Sequence, residues 1–462
     1  MEQLTRLLRF WFTFESPVSR ATYLRHGIAL AAVKYAVDAA VIWAFAHVPW
    51  TPWDYLTTGA AFQHSKLAGA PTPLLSFLAI WTLPFLWIGL TMSIRRALDA
   101  GKSAWLAMLF LVPVVNYVLM AVLSALPTKA PRGTDRAPQR QEARLPSAAL
   151  SIVVGVGIDV GMMLLSVYGL RGYGISLFLG TPFVVGVISA FLFNRRYAAT
   201  QRETSQVVIL TLAATGGVMF TFGYEGALCL AMAAPLAIGI ALLGAYVGRA
   251  IARRDVNSPT HAVLALVLLP PASPLLDRTG PQILHEVRSA IEIDAPPEAV
   301  WDRVIAFPEL PPPSALVRRM GIAYPQRAHI DGSGAGATRY CEFSTGAFVE
   351  PITVWDPGHR LSFDVASSPP PLRELSPYAR IVPPHLDGYF SARRGEFRLV
   401  RLTGNRTRLE GSTWYELRIY PDAYWSVFAD AIVHRIHARV LGHIRALVEI
   451  GDGGRGRGTK SN

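Results

Sequence analysis

Seven apolar stretches constrain this chain more than any other feature: Gly27–His47, Leu74–Ile94, Ala104–Leu126, Ala148–Leu170, Gly174–Phe193, Val207–Gly223 and Ala227–Gly248. A helix needs about 17–25 mostly apolar residues to cross a bilayer core of roughly 30 Å, and each stretch has that length. Composition agrees. Hydrophobic residues make up 51% and charged residues 16% of the 462 positions, whereas soluble proteins carry roughly 25% charged residues. That balance excludes a purely soluble, disordered or collagen-like chain. With two cysteines, Cys229 and Cys341, no disulfide framework exists. Residues 1–26 lack a small-residue cleavage site after an apolar run, so the first stretch is expected to stay in place.

Charge sharpens the picture. The formal net charge is +12, and residues 1–279 hold 22 Lys+Arg against 12 Asp+Glu. Positive excess in the apolar part is the mark of basic loops beside a membrane, not of a nucleic-acid partner. If every stretch crosses once with the N-terminus inside, inside loops hold 8 basic residues and outside loops 12, against the positive-inside rule. If Ala104–Leu126 enters and leaves on one side, 18 lie inside and only Lys66 and Arg171 outside. Pro113 and Asn116 near the middle of that stretch fit a break there. The expectation is a broken or re-entrant hairpin rather than a single crossing, with an oppositely oriented second bundle as the alternative.

Polar groups within the stretches are the first candidates for function. Lys34 and Asp38 share a helix face and read as a neutralised pair or a relay. Asp159 is a lone carboxylate and the better relay candidate. Arg95, Arg96 and Lys102 lie beside the cytoplasmic interface, as topogenic charge or as contacts for anionic headgroups. Gly157–Gly161 and Gly244–Gly248 have the small-xxx-small spacing of close helix packing and set no oligomeric state.

Phe14, Ser19-Arg20 and Tyr23 precede the first stretch, and Arg95-Arg96-Ala97-Leu98-Asp99-Ala100-Gly101-Lys102-Ser103-Ala104-Trp105 precedes the third. Over roughly residues 5–130 this resembles the bacterial inner-membrane domain-of-unknown-function 805 family. Leu98 stands where that family usually has His. The resemblance implies a topology and no activity. The expected organisation is therefore a transmembrane domain over 1–130, a basic cytoplasmic linker over 131–147 and a second helical bundle over 148–250.

Residues 251–284 read as a proline-rich linker, in which His261–Leu276 offers only about 15 apolar residues and three prolines. It reads as interfacial, so the remainder of the chain is expected on the cytoplasmic side; the alternative is that it crosses and the remainder faces the periplasm. From about 285 the pattern alternates. Strands are expected at His285–Ile293, Thr338–Ser344, Glu350–Trp355, Arg360–Val365, Gly395–Leu402 and Thr407–Tyr420, a short helix at Glu298–Ile305, and a long amphipathic helix at Tyr424–Ile450. Gly332-Ser-Gly334-Ala-Gly336 precedes a strand rather than a helix, so it is a hairpin loop and not a dinucleotide site. Pro369–Pro371 and Pro383–Tyr389 bracket a long irregular insertion, and 451–462 reads as a disordered tail. The whole is multi-domain: an α-helical transmembrane bundle followed by an α+β helix-grip domain.

The Asp294-Ala-Pro-Pro-Glu-Ala-Val-Trp301 start, the Phe348–Trp355 stretch, Gly411-Ser-Thr-Trp-Tyr415 and the final helix carry a second resemblance. Residues 285–450 resemble the START-related SRPBCC superfamily of polyketide cyclases and lipid carriers. It implies a curved sheet gripping a long helix around an apolar cavity. Strand alternation and the helix supply cavity candidates: Tyr340, Glu342, Trp414, Glu416, His437 and His443. The alternative is that these polar faces are solvated. His434, His437 and His443 do not converge on one helix face, so no metal site and no cofactor is expected. The leading expectation is an inner-membrane carrier or sensor whose partners are membrane lipids and a hydrophobic small molecule. The alternatives are a membrane-tethered cyclase, dehydratase or hydrolase on an apolar substrate, and a non-catalytic interaction module.

Overall fold

The computed structural model describes residues 2–14, 17–56, 66–67, 70–111, 115–129, 144–254, 283–378, 381 and 383–455. Most of the expected basic linker, the apolar segment 261–276 and the tail beyond 455 lie outside the described residues. Two compact units form: Met1–Val218 with Ala233–Pro281, and Met219–Met232 with Gln282–Asn462.

The first unit is helical: α1 Glu2–Phe12, α2 Arg20–Ala46, α3 Thr72–Asp99, α4 Val115–Ala125, α5 Arg144–Leu164, α6 Thr181–Arg196, α7 Gln201–Thr221 and α8 Ala227–Arg254. Among the described residues, six helices are long and apolar enough to cross a membrane: the spans on α2, α3, α5, α6, α7 and α8. They correspond to six of the seven expected stretches. Apolar side chains from α3, α4, α6 and α8 share one continuous core that includes Ile94, Leu123, Phe191 and Val247. Gly244 and Gly248 serve the packing their spacing suggests: a Cβ on either would lie about 2 Å from the Phe183 or Val187 carbonyl oxygen of α6. A Cβ on Gly157 or Gly161 would meet nothing within 4 Å, so among the described residues their spacing marks no close approach.

The seventh stretch divides. Ala104–Leu111 forms a 3₁₀ helix of 8 residues and α4 has 11, each too short to cross alone. The two ends of the segment meet. The Lys129 N–H donates to the Asp99 carbonyl at 3.0 Å, and the Arg96 guanidinium donates to the Leu123 carbonyl at 3.0 Å and to that of Leu126. The chain thus leaves the C-terminal end of α3 and returns to it, which is the geometry a hairpin requires.

Arg95 and Arg96 correct the sequence reading. They are 1% and 0% exposed, so neither reaches a lipid headgroup. Arg95 donates to the carbonyls of Phe10 and Thr13 and lies over the Phe10 ring. Arg96 also pairs with Asp99. These side chains satisfy backbone carbonyls that irregular chain would otherwise leave unpaired in an apolar setting. Lys102 is exposed.

Removing one member of a buried charged set leaves the others uncompensated, at a cost of about 3–5 kcal/mol. Arg96→Met is therefore expected to lower the thermal unfolding midpoint of the detergent-purified protein by several degrees, with Lys102→Met unchanged. Equal midpoints for the two variants contradict a structural role for Arg96.

In the second unit, β1 Leu284–Ile293, α9 Pro297–Ile305, α10 Ala315–Arg319, β2 Pro325–Asp331, β3 Thr338–Phe343, β4 Gly346–Asp356, β5 Arg360–Asp364, β6 Phe390–Leu402, β7 Arg406–Leu417 and α11 Asp422–Arg455 follow in order. The strands make one antiparallel sheet, β1-β7-β6-β5-β4-β3-β2, curled around α11. Every expected strand is present; β2 was not expected, and α11 runs on through residues read as tail. The Gly332–Gly336 segment is the β2–β3 turn, with positive φ at Gly332, Gly334 and Gly336. α11 buries Val433, Val440, Leu441, Ile444 and Val448 against the sheet. Its polar clamps are Tyr415 Oη to Asp430 at 2.6 Å and His285 to Asp422 at 2.9 Å. This is the helix-grip arrangement.

Candidate functional site

Period-two alternation decides which side chains enter the space between sheet and helix. On β3 the buried set is Arg339, Cys341 and Phe343, while Tyr340 and Glu342 point away. On β4 Glu350 and Ile352 are buried, and Arg339 stands directly opposite Glu350 in the β3–β4 register. On β7 Gly411, Thr413 and Tyr415 face inward. Gly411 and Thr413, with Ile436, His437 and Val440 of α11 and the rings of Phe363 and Phe397, line a cavity of about 120 Å³.

Three polar features break its apolar wall, one of them the Arg394–Glu396 pair at 2.9 Å. Of the other two, the first is a buried ion pair between Arg339 and Glu350, 2% and 8% exposed at the side chain. The Arg339 Nε donates to the Ile305 carbonyl at 3.2 Å. Phe307, Phe363 and Phe397 surround its guanidinium at 5.5–5.6 Å from their ring centroids, each placed for a cation–π contact. Cys341 lies beside the pair, and burial, followed by the Glu350 charge, pushes its thiol up to about 12. It is a neutral thiol at physiological pH and no nucleophile.

The second feature is His437. Its Nε2 lies 2.8 Å from the Thr413 hydroxyl and its Nδ1 lies 3.1 Å from that of Ser289, which also reaches His434 at 2.8 Å. Burial, then the neighbouring His434, pushes His437 down to about 4. The ring is neutral at physiological pH, held between two hydroxyls.

Of the six cavity candidates read from the sequence, His437 alone lines the space. Glu342 forms a bidentate pair with Arg327 at 2.7 and 2.9 Å, and Tyr340 stacks on His329. Glu416 binds Arg393 at 2.7 Å, and Trp414 lies under Arg394. His443 reaches the Pro308 carbonyl at 3.3 Å. The missed residues are Arg339, Glu350 and Thr413. Arg339 and Cys341 share strand parity, and that was the available signal. In the helical unit Lys34 and Asp38 form an ion pair, and Tyr55 donates to Asp38 at 2.6 Å; Asp159 is buried.

One further cluster joins residues distant in sequence: Glu225 and Cys229 at the start of α8, with Glu374 and His385 from the β5–β6 insertion, all ligating atoms within 4.8 Å of one another. The sequence offered no such set, because these side chains come from two segments about 150 positions apart.

Comparison with known proteins agrees with the division of the chain. Residues 285–418 match the family described as polyketide cyclase / dehydrase and lipid transport. Residues 11–133 match the family described as protein of unknown function (DUF805). Neither match spans half of the chain, and no curated protein matches it. Similar solved structures include norcoclaurine synthase from Thalictrum flavum, at 13% identity over 38% of this chain and 99% of that one, TM-score 0.25. An aromatase/cyclase from a Streptomyces species is 13% identical over 39% and 100%, TM-score 0.25. XoxI from Bacillus cereus is 15% identical over 36% and 97%, TM-score 0.25.

A folded-state pKa below the ordinary histidine value makes His437 a liability in acid. Its unfavourable contribution is absent above pH 6.5, grows as pH falls toward about 4, and amounts to about 3 kcal/mol at most. Thermal midpoints of the wild type should fall more steeply between pH 6.5 and 4 than those of His437→Gln. Parallel curves contradict a buried neutral imidazole.

Proposed function

We propose that the helix-grip domain binds a hydrophobic small molecule or lipid, as a carrier or sensor held at a membrane by the helical unit. The observation that carries this reading is the phenylalanine-walled cavity between sheet and helix, with a few polar side chains among apolar ones. Apolar walls with a few convergent polar groups are the usual form of a small-molecule site. Its volume of about 120 Å³ is below the roughly 300–1,000 Å³ typical of such sites, so a larger ligand enters by displacing side chains of α11 or of the β5–β6 insertion. Tethering keeps the domain near a membrane ligand, so modest affinity suffices.

The polar groups support binding over catalysis. Acid–base work requires a group whose pKa lies near the working pH. His437 at about 4 is a weak base, and Arg339 and Glu350 are committed to each other. A cyclase, dehydratase or hydrolase would need an acid–base pair that this cavity lacks among the described residues.

The α7–α8 turn supports one side of the membrane for this domain. Residues Met219–Met232 belong to the same compact unit as the sheet. The basic residues of these helices, Arg202, Arg249, Arg253 and Arg254, lie at the other helix ends. By the positive-inside rule those ends are cytoplasmic. We therefore favour a bacterial inner-membrane protein with a cytoplasmic N-terminus and a periplasmic helix-grip domain, the arrangement in which the 261–276 segment crosses. A single cysteine at Phe222 should react with a membrane-impermeant maleimide on intact spheroplasts, and one at Arg202 should not; the reverse pattern contradicts this topology.

Full-length protein extracted in mild detergent should release an apolar ligand of defined mass in native mass spectrometry. Ile436→Trp, which fills the cavity from α11, should reduce that ligand about tenfold or more. Equal ligand on both proteins contradicts binding in the cavity.

A further inference from the structure

Four side chains that the helix-grip cavity does not use converge at the start of α8. Cys229 Sγ lies 2.6 Å from Glu374 Oε1 and 3.1 Å from His385 Nε2, and the latter two are 3.2 Å apart. The other ring nitrogen, His385 Nδ1, faces Glu225 Oε2 at 3.4 Å. Thiolate, imidazole and carboxylate are the donors that zinc takes, at about 2.0–2.3 Å, and tetrahedral geometry at such lengths sets donors roughly 3.4 Å apart. Two edges of the Cys229–Glu374–His385 triangle lie near that value, and the sulfur–oxygen edge is shorter.

Two independent features point to an ion. The Glu374 side chain is 0% exposed, yet its Oε2 has no hydrogen-bond partner. A buried carboxylate oxygen without a donor is costly, and a cation would satisfy it. Gly226, between Glu225 and Cys229 in the chain, also leaves the room Glu374 occupies: a Cβ there would lie 1.8 Å from Glu374 Oε2. Any other residue at 226 would push the carboxylate out of the cluster.

We propose that Cys229 Sγ, a Glu374 carboxylate oxygen and His385 Nε2 bind a divalent transition-metal ion of the zinc type, with Glu225 accepting a hydrogen bond from His385 Nδ1–H. A carboxylate behind a ligating histidine fixes its tautomer and strengthens it as a donor. The ion balances two buried carboxylates and a thiolate, and it fastens the β5–β6 insertion to the α7–α8 turn within one compact unit. The backbone already brings these segments together, since the Ala227 N–H donates to the Leu375 carbonyl at 2.9 Å. The site stands apart from the ligand cavity, so its test is independent of the function proposed above.

The full-length protein, purified in detergent with any affinity tag removed, is stripped with a chelator and reloaded with zinc or with cobalt. The expected result is one zinc per chain by elemental analysis, and in the cobalt form a near-ultraviolet thiolate-to-cobalt charge-transfer band. Cys229→Ser should abolish the band, His385→Ala should lower zinc to background, and Glu225→Gln should weaken zinc binding about 10-fold or more. Should the variants fail to fold, the wild type alone decides. Zinc at background, or a cobalt form without the thiolate band, overturns the proposal, as does zinc binding unchanged in folded Cys229→Ser and His385→Ala.

Discussion

The helix-grip domain is organised around a buried guanidinium. Arg339 is buried beneath three phenylalanine rings with Glu350 as its counter-charge. A buried charge is tolerable only when paired and hydrogen-bonded. That requirement fixes the β3–β4 register, because a slip of one residue would turn Arg339 outward and bring Tyr340 in. It also ties α9 to the sheet through the Ile305 carbonyl.

The helical unit solves a related problem by the same means. The chain returns from Asp99 to Lys129 at the end of α3, and carbonyls left unpaired among apolar helices are costly. Arg96 reaches the Leu123 and Leu126 carbonyls while Asp99 neutralises it, and Arg95 does the same for Phe10 and Thr13. An Arg-Arg pair followed by Asp is thus a structural device of the fold. Charge counting offered Arg95 and Arg96 as topogenic or headgroup-contacting residues, and their burial speaks against headgroup contact, since counting charges along a chain says nothing about which way they point.

Architecture was legible where periodicity is strong. Six stretches long and apolar enough to cross a membrane, the strand pattern of the second half and its final helix all followed from apolar spacing. The site was less legible. Strand parity separated Tyr340 and Glu342 from Cys341 and Phe343 correctly, but the polar faces were offered as cavity faces when the apolar ones line it. Arg339 shares the apolar parity, and a charge on an apolar face was the cue to follow. On α11 the apolar face expected from Phe428, Ile432, Ile436, Val440 and Leu447 is only partly the buried one: Val440 is buried, and Val433, Leu441, Ile444 and Val448 are buried with it, while His437 lines the cavity and His443 does not. The Glu225–Cys229–Glu374–His385 cluster was out of reach because it depends on tertiary contact between an interhelical turn and a strand insertion.

Occupancy of the cavity by an apolar molecule is the central claim, and site-resolved photo-cross-linking in native membranes tests it most directly. A diazirine-bearing fatty acid is activated on the full-length protein and its adducts are mapped by peptide mass spectrometry. Adducts concentrated on β3, β6 and the central turns of α11, around Cys341, Phe397 and Ile436, are the expected result. Adducts confined to the six apolar spans, with none in the helix-grip domain, would contradict the account.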